Sequence, residues 1–210
     1  MKIDKELINS IKGFLDVDEG KHLFEIAHRA SKIGPCLEIG SYCGKSTVYL
    51  GKACQQNNSI LFSIDHHQGS EEQQPGEEYF DPDLFDQKTK QIDTFSKFRK
   101  TLKIAEIEDT VIPIVCKSEV AARLWNTPLS LVFIDGGHSY EAAFTDFNCW
   151  VRHIIPDGYL LIHDIFKDPT QGGQAPFQVY ELAKASGLFM ELPMLKTLGV
   201  LKRLRCDFKP

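Results

Sequence analysis

The chain has 210 residues, 42% hydrophobic and 25% charged, with 15 Gly and 10 Pro, a balance that excludes collagen-like, coiled-coil and globally disordered classes. A formal charge of −5 argues against nucleic-acid partners, whose affinity is supplied largely by excess Lys and Arg. No apolar run reaches signal-peptide or membrane-spanning length and the six cysteines form no CxxC pair, so one soluble, cytoplasmic domain over residues 1–210 is expected, without a zinc cluster.

In chain order, residues 3–12 and 19–32 read as helices of an N-terminal segment (1–33), the second with Leu23, Phe24, Ile26, Ala27 and Ala30 at helical spacing. Gly34 and Pro35 stop it, and residues 36–40 form a short buried strand. A helix over 46–54 leads to a second buried strand, 60–65, that ends in an acid. Residues 66–88 are polar, acidic and punctuated by Gly and Pro, which predicts a long insertion loop starting at the carboxyl end of the second strand. A helix over 89–106, a strand over 111–116, a short helix over 119–125 and a strand over 129–134 follow. The helix at 140–154 is closed by Pro156, Asp157 and Gly158, before a fifth strand, 159–162. A Gly- and Gln-rich loop (166–174) and a helix (175–186) precede two apolar segments, 188–195 and 198–204, with no helix between them, so these should pair antiparallel. Strand–helix alternation with right-handed crossovers predicts a doubly wound α/β fold: a mostly parallel seven-stranded sheet with an antiparallel last strand.

Ligands of open α/β sheets bind beyond the carboxyl ends of the strands. Those positions here hold Gly40–Gly44, Asp65 with His66 and His67, Lys117 to Glu119, Asp135 to His138, and His163 with Asp164. The first turn, Glu38-Ile39-Gly40-Ser41-Tyr42-Cys43-Gly44-Lys45-Ser46-Thr47, allows close backbone approach to a ligand ahead of a helix N-terminus. It has three residues between its glycines where a phosphate loop needs four, and no Gly at Tyr42 where a dinucleotide fingerprint needs one.

The turn E-x-G-x-x-x-G-x-S, the acid at Asp65, and the stretch from Ile134 to Asp164 (IDGGHSYEAAFTDFNCWVRHIIPDGYLLIHD) resemble class I S-adenosylmethionine-dependent methyltransferases. The resemblance is closest to the catechol, caffeoyl-CoA and macrolide-sugar O-methyltransferase branch and covers residues 13–204. It implies that Gly40, Ser41, Gly44 and Ser46 form the S-adenosylmethionine turn, with Glu38 beneath favouring the sulfonium charge. Asp65 would accept from the ribose hydroxyls, although a turn or capping acid is its plainer reading. Ser118 and Glu119 would meet the adenine edge, and His66 would pack on the adenine or ribose.

The same resemblance implies a divalent cation held by Asp135, His163 and Asp164, with Asp135 also next to the cofactor. His138 would be the general base, a role suited to imidazole because its pKa lies near working pH. The branch usually carries Glu-Asp or Asp-Asn where this chain has His163-Asp164, so either His163 is turned away from the cation, which is then Mg²⁺ or Mn²⁺, or the preference has moved toward Mn²⁺ and Fe²⁺, which accept nitrogen ligands. The implied activity is methyl transfer to a hydroxyl of a small-molecule acceptor (a sugar, polyketide or phenol), with no nucleic-acid or membrane partner and a homodimer possible. A metal-free site with His138 as base, a metal-dependent hydroxylase of the same branch and a non-catalytic cofactor-binding module remain alternatives.

Overall fold

The computed structural model describes residues 4–137 and 139–205. Helix α1 (Lys5–Ser10) and helix α2 (Val17–Ala30) come first, and Asp16 caps α2 by accepting from the N–H groups of Asp18 and Glu19. Strand β1 (Cys36–Ile39), helix α3 (Lys45–Gln56) and strand β2 (Leu61–Ile64) follow. The insertion holds two 3₁₀ turns and an antiparallel ribbon of β3 (Phe85–Asp86) and β4 (Gln91–Ile92). Then come α4 (Phe95–Ile104), β5 (Val111–Ile114), α5 (Ser118–Ala122), β6 (Leu129–Ile134), α6 (Tyr140–Trp150), β7 (Ile154–Ile162), α7 (Ala175–Ala185), β8 (Phe189–Leu195) and β9 (Leu198–Arg203).

The seven-stranded sheet has the order β5-β2-β1-β6-β7-β9-β8, with β9 antiparallel to both neighbours, as the strand–helix alternation predicts. All six residues of β6 are buried because both faces of the sheet are covered. Leu131 and Phe133 pack on one face with Leu23, Ile26, Leu50 and Phe98; Val132 and Ile134 pack on the other with Phe147, Trp150, Val179 and Tyr180. The chain leaves β1 toward β2 and β5, then returns to place β6 on the opposite side of β1. The β1–β6 boundary is therefore the topological switch point, where open α/β sheets bind ligands.

Two expectations are corrected. The helix placed at 89–106 begins only at Phe95, because residues 91–92 pair with 85–86 and the Asp93 carboxylate accepts from the Phe95 N–H (2.9 Å). The Pro156-Asp157-Gly158 stretch does not close a helix: α6 ends at Trp150, a 3₁₀ turn follows, and residues 155–158 bulge within β7. Pairing jumps there from Leu129–Ile154 to Leu131–Tyr159, and Asp157 takes a left-handed φ of 64° while binding Lys202 (3.1 Å) and Arg205. Among the described residues, no helix is long and apolar enough to cross a membrane.

Candidate active site

The parallel ladder runs one residue beyond the strands and sets their tips side by side. Gly40 N–H donates to Ile64 O (3.0 Å), Asp135 N–H to Ile39 O (2.9 Å) and His163 N–H to Ile134 O (3.1 Å). Gly40 has φ 84°, and a Cβ built there would lie 2.1 Å from the Asp135 carbonyl oxygen. Only glycine permits this contact between the turn after β1 and the tip of β6.

Asp65 holds the glycine turn from the β2 side. Its Oδ2 accepts from the N–H groups of Ser41 and Tyr42 (both 2.9 Å), and its Oδ1 from the N–H of His67 (2.6 Å). The plainer sequence reading of Asp65, a turn acid, is thus present in the structure. His66 is half-buried and its Nδ1 accepts from the Gln68 N–H. His67 turns away from the strand tips: it is buried against Phe95 and Phe98, with Nδ1 2.7 Å from the Thr94 hydroxyl.

Glu38 lies beneath the turn, as the resemblance implies, and its side chain and that of Ser46 point inward onto each other. Glu38 is fully buried beneath the turn, accepting from the hydroxyls of Ser46 (2.6 Å), Thr47 (2.7 Å) and Ser63 (2.8 Å). Both side chains are spent on tying α3 to β1 and β2. Burial pushes the Glu38 carboxyl from 4.5 to about 7 despite those three hydroxyls, and the charge of Asp135 adds to the rise.

A stability effect follows from that raised value. The folded state holds the Glu38 proton more tightly than the unfolded state, so this contribution is complete below pH 4.5 and is lost as pH rises through about 7. Glu38→Gln keeps an acceptor but cannot ionise. Its stability relative to wild type should rise by about 3 kcal/mol between pH 4.5 and 8 in urea titrations. Parallel pH profiles for the two proteins would refute this.

Asp135, His163 and Asp164 form the reactive-looking cluster: one ligand atom from each lies within 4.8 Å of the others. His163 is buried, with Nδ1 3.1 Å from Asp135 Oδ1 and 3.4 Å from Asp164 Oδ1, and Nε2 3.1 Å from Glu19 Oε2. Burial opposes a charged ring, but the charge of Asp135 and hydrogen bonds to Asp135, Asp164 and Glu19 outweigh it and raise the His163 pKa. Asp164 has a left-handed φ of 57°, a conformation that non-glycine residues keep only where their surroundings over-determine it. The donor set of two carboxylates and one imidazole fits a divalent transition cation better than Mg²⁺. His138 lies outside the described residues.

Residues 37–165 match a family model described as a methyltransferase domain. The chain belongs to this family. The sheet order and crossovers are those of the Rossmann-like methyltransferase fold. Similar solved structures include the O-methyltransferase TomG from Streptomyces achromogenes, involved in tomaymycin synthesis and in complex with SAM (14% identity, 97% of this chain and 92% of that one, TM-score 0.66). An O-methyltransferase from Bacillus cereus in complex with SAH is also similar (14% identity, 97% and 92% coverage, TM-score 0.65).

Within the methyltransferase domain, the end of β5 departs from expectation. Ser118 Oγ accepts from Trp150 Nε1 (2.7 Å) and also hydrogen-bonds Asp146, so its hydroxyl is engaged, while Glu119 is exposed. Burial pushes Asp146 up to about 6, against the pull of the Ser118 hydrogen bond. Asp146 and Glu19 were both missed in the sequence, although each leaves the same signal. Glu19 shares a helix face with Leu23, Ile26 and Ala30, and Asp146 with Ala143, Phe147 and Trp150, and a charge on a buried face needs a partner.

Proposed function

We propose that the protein is an S-adenosylmethionine-dependent O-methyltransferase that acts on a hydroxyl of a small molecule (a sugar, polyketide or phenol), assisted by a divalent cation. One observation carries this reading: the glycine turn and the Asp135–His163–Asp164 cluster are contiguous, the Gly40 backbone packing directly on that of Asp135. A donor and an acceptor hydroxyl bound there would be neighbours.

S-adenosylmethionine, when bound, supplies an electrophilic methyl carbon on a cationic sulfonium. Gly40, Ser41 and Gly44 would line it with backbone. Asp65 would accept from the ribose by giving up its longest contact, the Ser41 hydroxyl at 3.5 Å, while keeping the three backbone N–H groups. His66 and Glu119 would meet the adenine end. A divalent cation, when bound by Asp135, His163 and Asp164, lowers the pKa of the acceptor hydroxyl. His138 would take the hydroxyl proton.

The 66–88 insertion would wall the acceptor. An open depression of about 420 Å³ lies between it and the N-terminal segment, lined by Lys12, Phe14, Tyr42, Tyr79, Phe80 and Asp81. Lys12 ties the two segments together through Asp81 and Asp83, and the Phe14 ring sits 5.9 Å from Tyr42 and 5.3 Å from Tyr79. Tyr42 belongs to the glycine turn as well as to this lining, which includes none of Asp135, His163 and Asp164, so an acceptor seated here would have to reach from Tyr42 to the cluster.

Calorimetry tests the reading. S-adenosylmethionine or S-adenosylhomocysteine should bind, and Asp65→Ala should weaken binding by about 1–3 kcal/mol through lost charge-assisted hydrogen bonds. Binding of NAD or ATP with neither of those compounds would overturn it. The one-His, two-carboxylate donor set favours a second reading, an iron-dependent hydroxylase. Product mass separates the two: a gained methyl group supports the first, a gained oxygen the second.

A further inference from the structure

Glu19 has no part in the function proposed above, yet its placement is costly. The side chain is buried, and a carboxylate taken out of water persists only where its oxygens are fully engaged. Oε1 accepts from the N–H (2.7 Å) and the hydroxyl (2.8 Å) of Thr197, in the turn between β8 and β9. Oε2 meets His163 Nε2 at 3.1 Å. Glu19 lies in the first turn of α2, whose start is fixed by the Asp16 cap. The carboxylate is thus pinned at one oxygen and presents the other to a single imidazole nitrogen.

That nitrogen is the one facing away from the acids. His163 is 6% exposed, packed edge-on to Phe133, and points Nδ1 at Asp135 and Asp164. Flipping the ring would put Cδ2 where Nδ1 faces the acids and Cε1 where Nε2 faces Glu19, and would lose both sets of contacts. A carboxylate that accepts from the far nitrogen of a ligating histidine sets its tautomer, orients the ring and strengthens it as a ligand.

Resting on the metal-assisted reading above, we propose that Glu19 is a positioning residue: it holds the Nε2 proton of His163 so that Nδ1 joins Asp135 and Asp164 as a nitrogen ligand. The centre thereby selects cations that accept imidazole, such as Mn²⁺ and Fe²⁺, over Mg²⁺, which binds poorly to nitrogen. A bolt that merely fastens α2 to the β8–β9 turn would use the same contacts but would leave metal choice alone.

The test uses the full chain stripped with a chelator, in wild-type, Glu19→Gln and Glu19→Ala forms. Mn²⁺ and Mg²⁺ are titrated calorimetrically, and electron spin-echo modulation of the Mn²⁺-loaded protein reports a directly bound imidazole nitrogen. Wild type should prefer Mn²⁺ and show the nitrogen signal. Glu19→Gln, which can still accept from Nε2, should keep the signal but lose about 10–100-fold in Mn²⁺ affinity, with Mg²⁺ affinity within about threefold of wild type. Glu19→Ala should lose the signal and the preference together; should that variant fail to fold, the Gln variant decides alone. An unchanged Mn²⁺-to-Mg²⁺ ratio in the Gln variant would make Glu19 a bolt. A wild-type protein that binds neither cation would overturn the metal reading itself. Mn²⁺ binding by wild type without the nitrogen signal would overturn the Glu19 assignment and leave the metal reading standing.

Discussion

Gly40→Ala is expected to cost at least about 3 kcal/mol of folding stability, at the upper end of what single substitutions do. Two effects add. The residue holds φ 84°, where a side chain alone costs about 1–2 kcal/mol. The new Cβ would also lie 2.1 Å from the carbonyl oxygen and 2.6 Å from the carbonyl carbon of Asp135, and 2.7 Å from the Gly136 Cα. All three are backbone atoms, so no rotamer change relieves the overlap, and the tips of β1 and β6 must move apart. Gly187 provides the control: it has φ 71°, with nothing within 4 Å of a built Cβ. Gly187→Ala should therefore show the conformational cost alone. Urea titration of both variants separates the terms, and equal losses would mean that the close approach carries no weight. Because Gly40 abuts Asp135, the folded fraction of Gly40→Ala should also lose activity, whereas Gly187→Ala should retain it.

The strand tips were legible in the sequence for a simple reason. Buried parallel strands read as short apolar runs, and the polar residues that interrupt them (Gly40, Asp65, Asp135, His163) mark where each strand ends. Side-chain direction was not legible. Glu38 and Ser46 lie in the motif, but strand and helix geometry turn them inward onto each other, away from the ligand edge. Ser118 likewise spends its hydroxyl on Trp150 and Asp146, 32 and 28 positions along the chain, a pairing that no local pattern announces. The β3–β4 ribbon was missed because two-residue strands carry no periodicity. The bulge in β7 hid behind a Pro-Asp-Gly sequence that ordinarily signals a turn. Glu19 reaches the site from 144 residues before His163, so only its position on an apolar helix face could have flagged it.

Chelator treatment is expected to abolish turnover, with Mn²⁺ or Fe²⁺ restoring it at least as well as Mg²⁺. Asp135 and Asp164 extend from neighbouring strands toward one imidazole, so their charges are already gathered before a cation arrives. In the metal-free protein the surrounding carboxylates favour the charged form of the His163 ring and raise its pKa. A cation ligated by Nδ1 must displace the proton there, so binding should release a proton and tighten as pH rises. A site built only from carboxylates would show little of this dependence near neutral pH, since carboxylates are already ionised there. Asp164→Ala should lose metal and activity together, because it would remove one of the three proposed ligands. His138→Ala should keep the metal and lose about 10²–10⁴ in rate, the worth of a positioned general base. Metal content by elemental analysis and turnover with added cations read both outcomes. Full activity in excess chelator would remove the cation from the mechanism and leave His138 as the sole base. Full activity of His138→Ala would remove that base instead, and the cation alone would then have to account for loss of the acceptor proton.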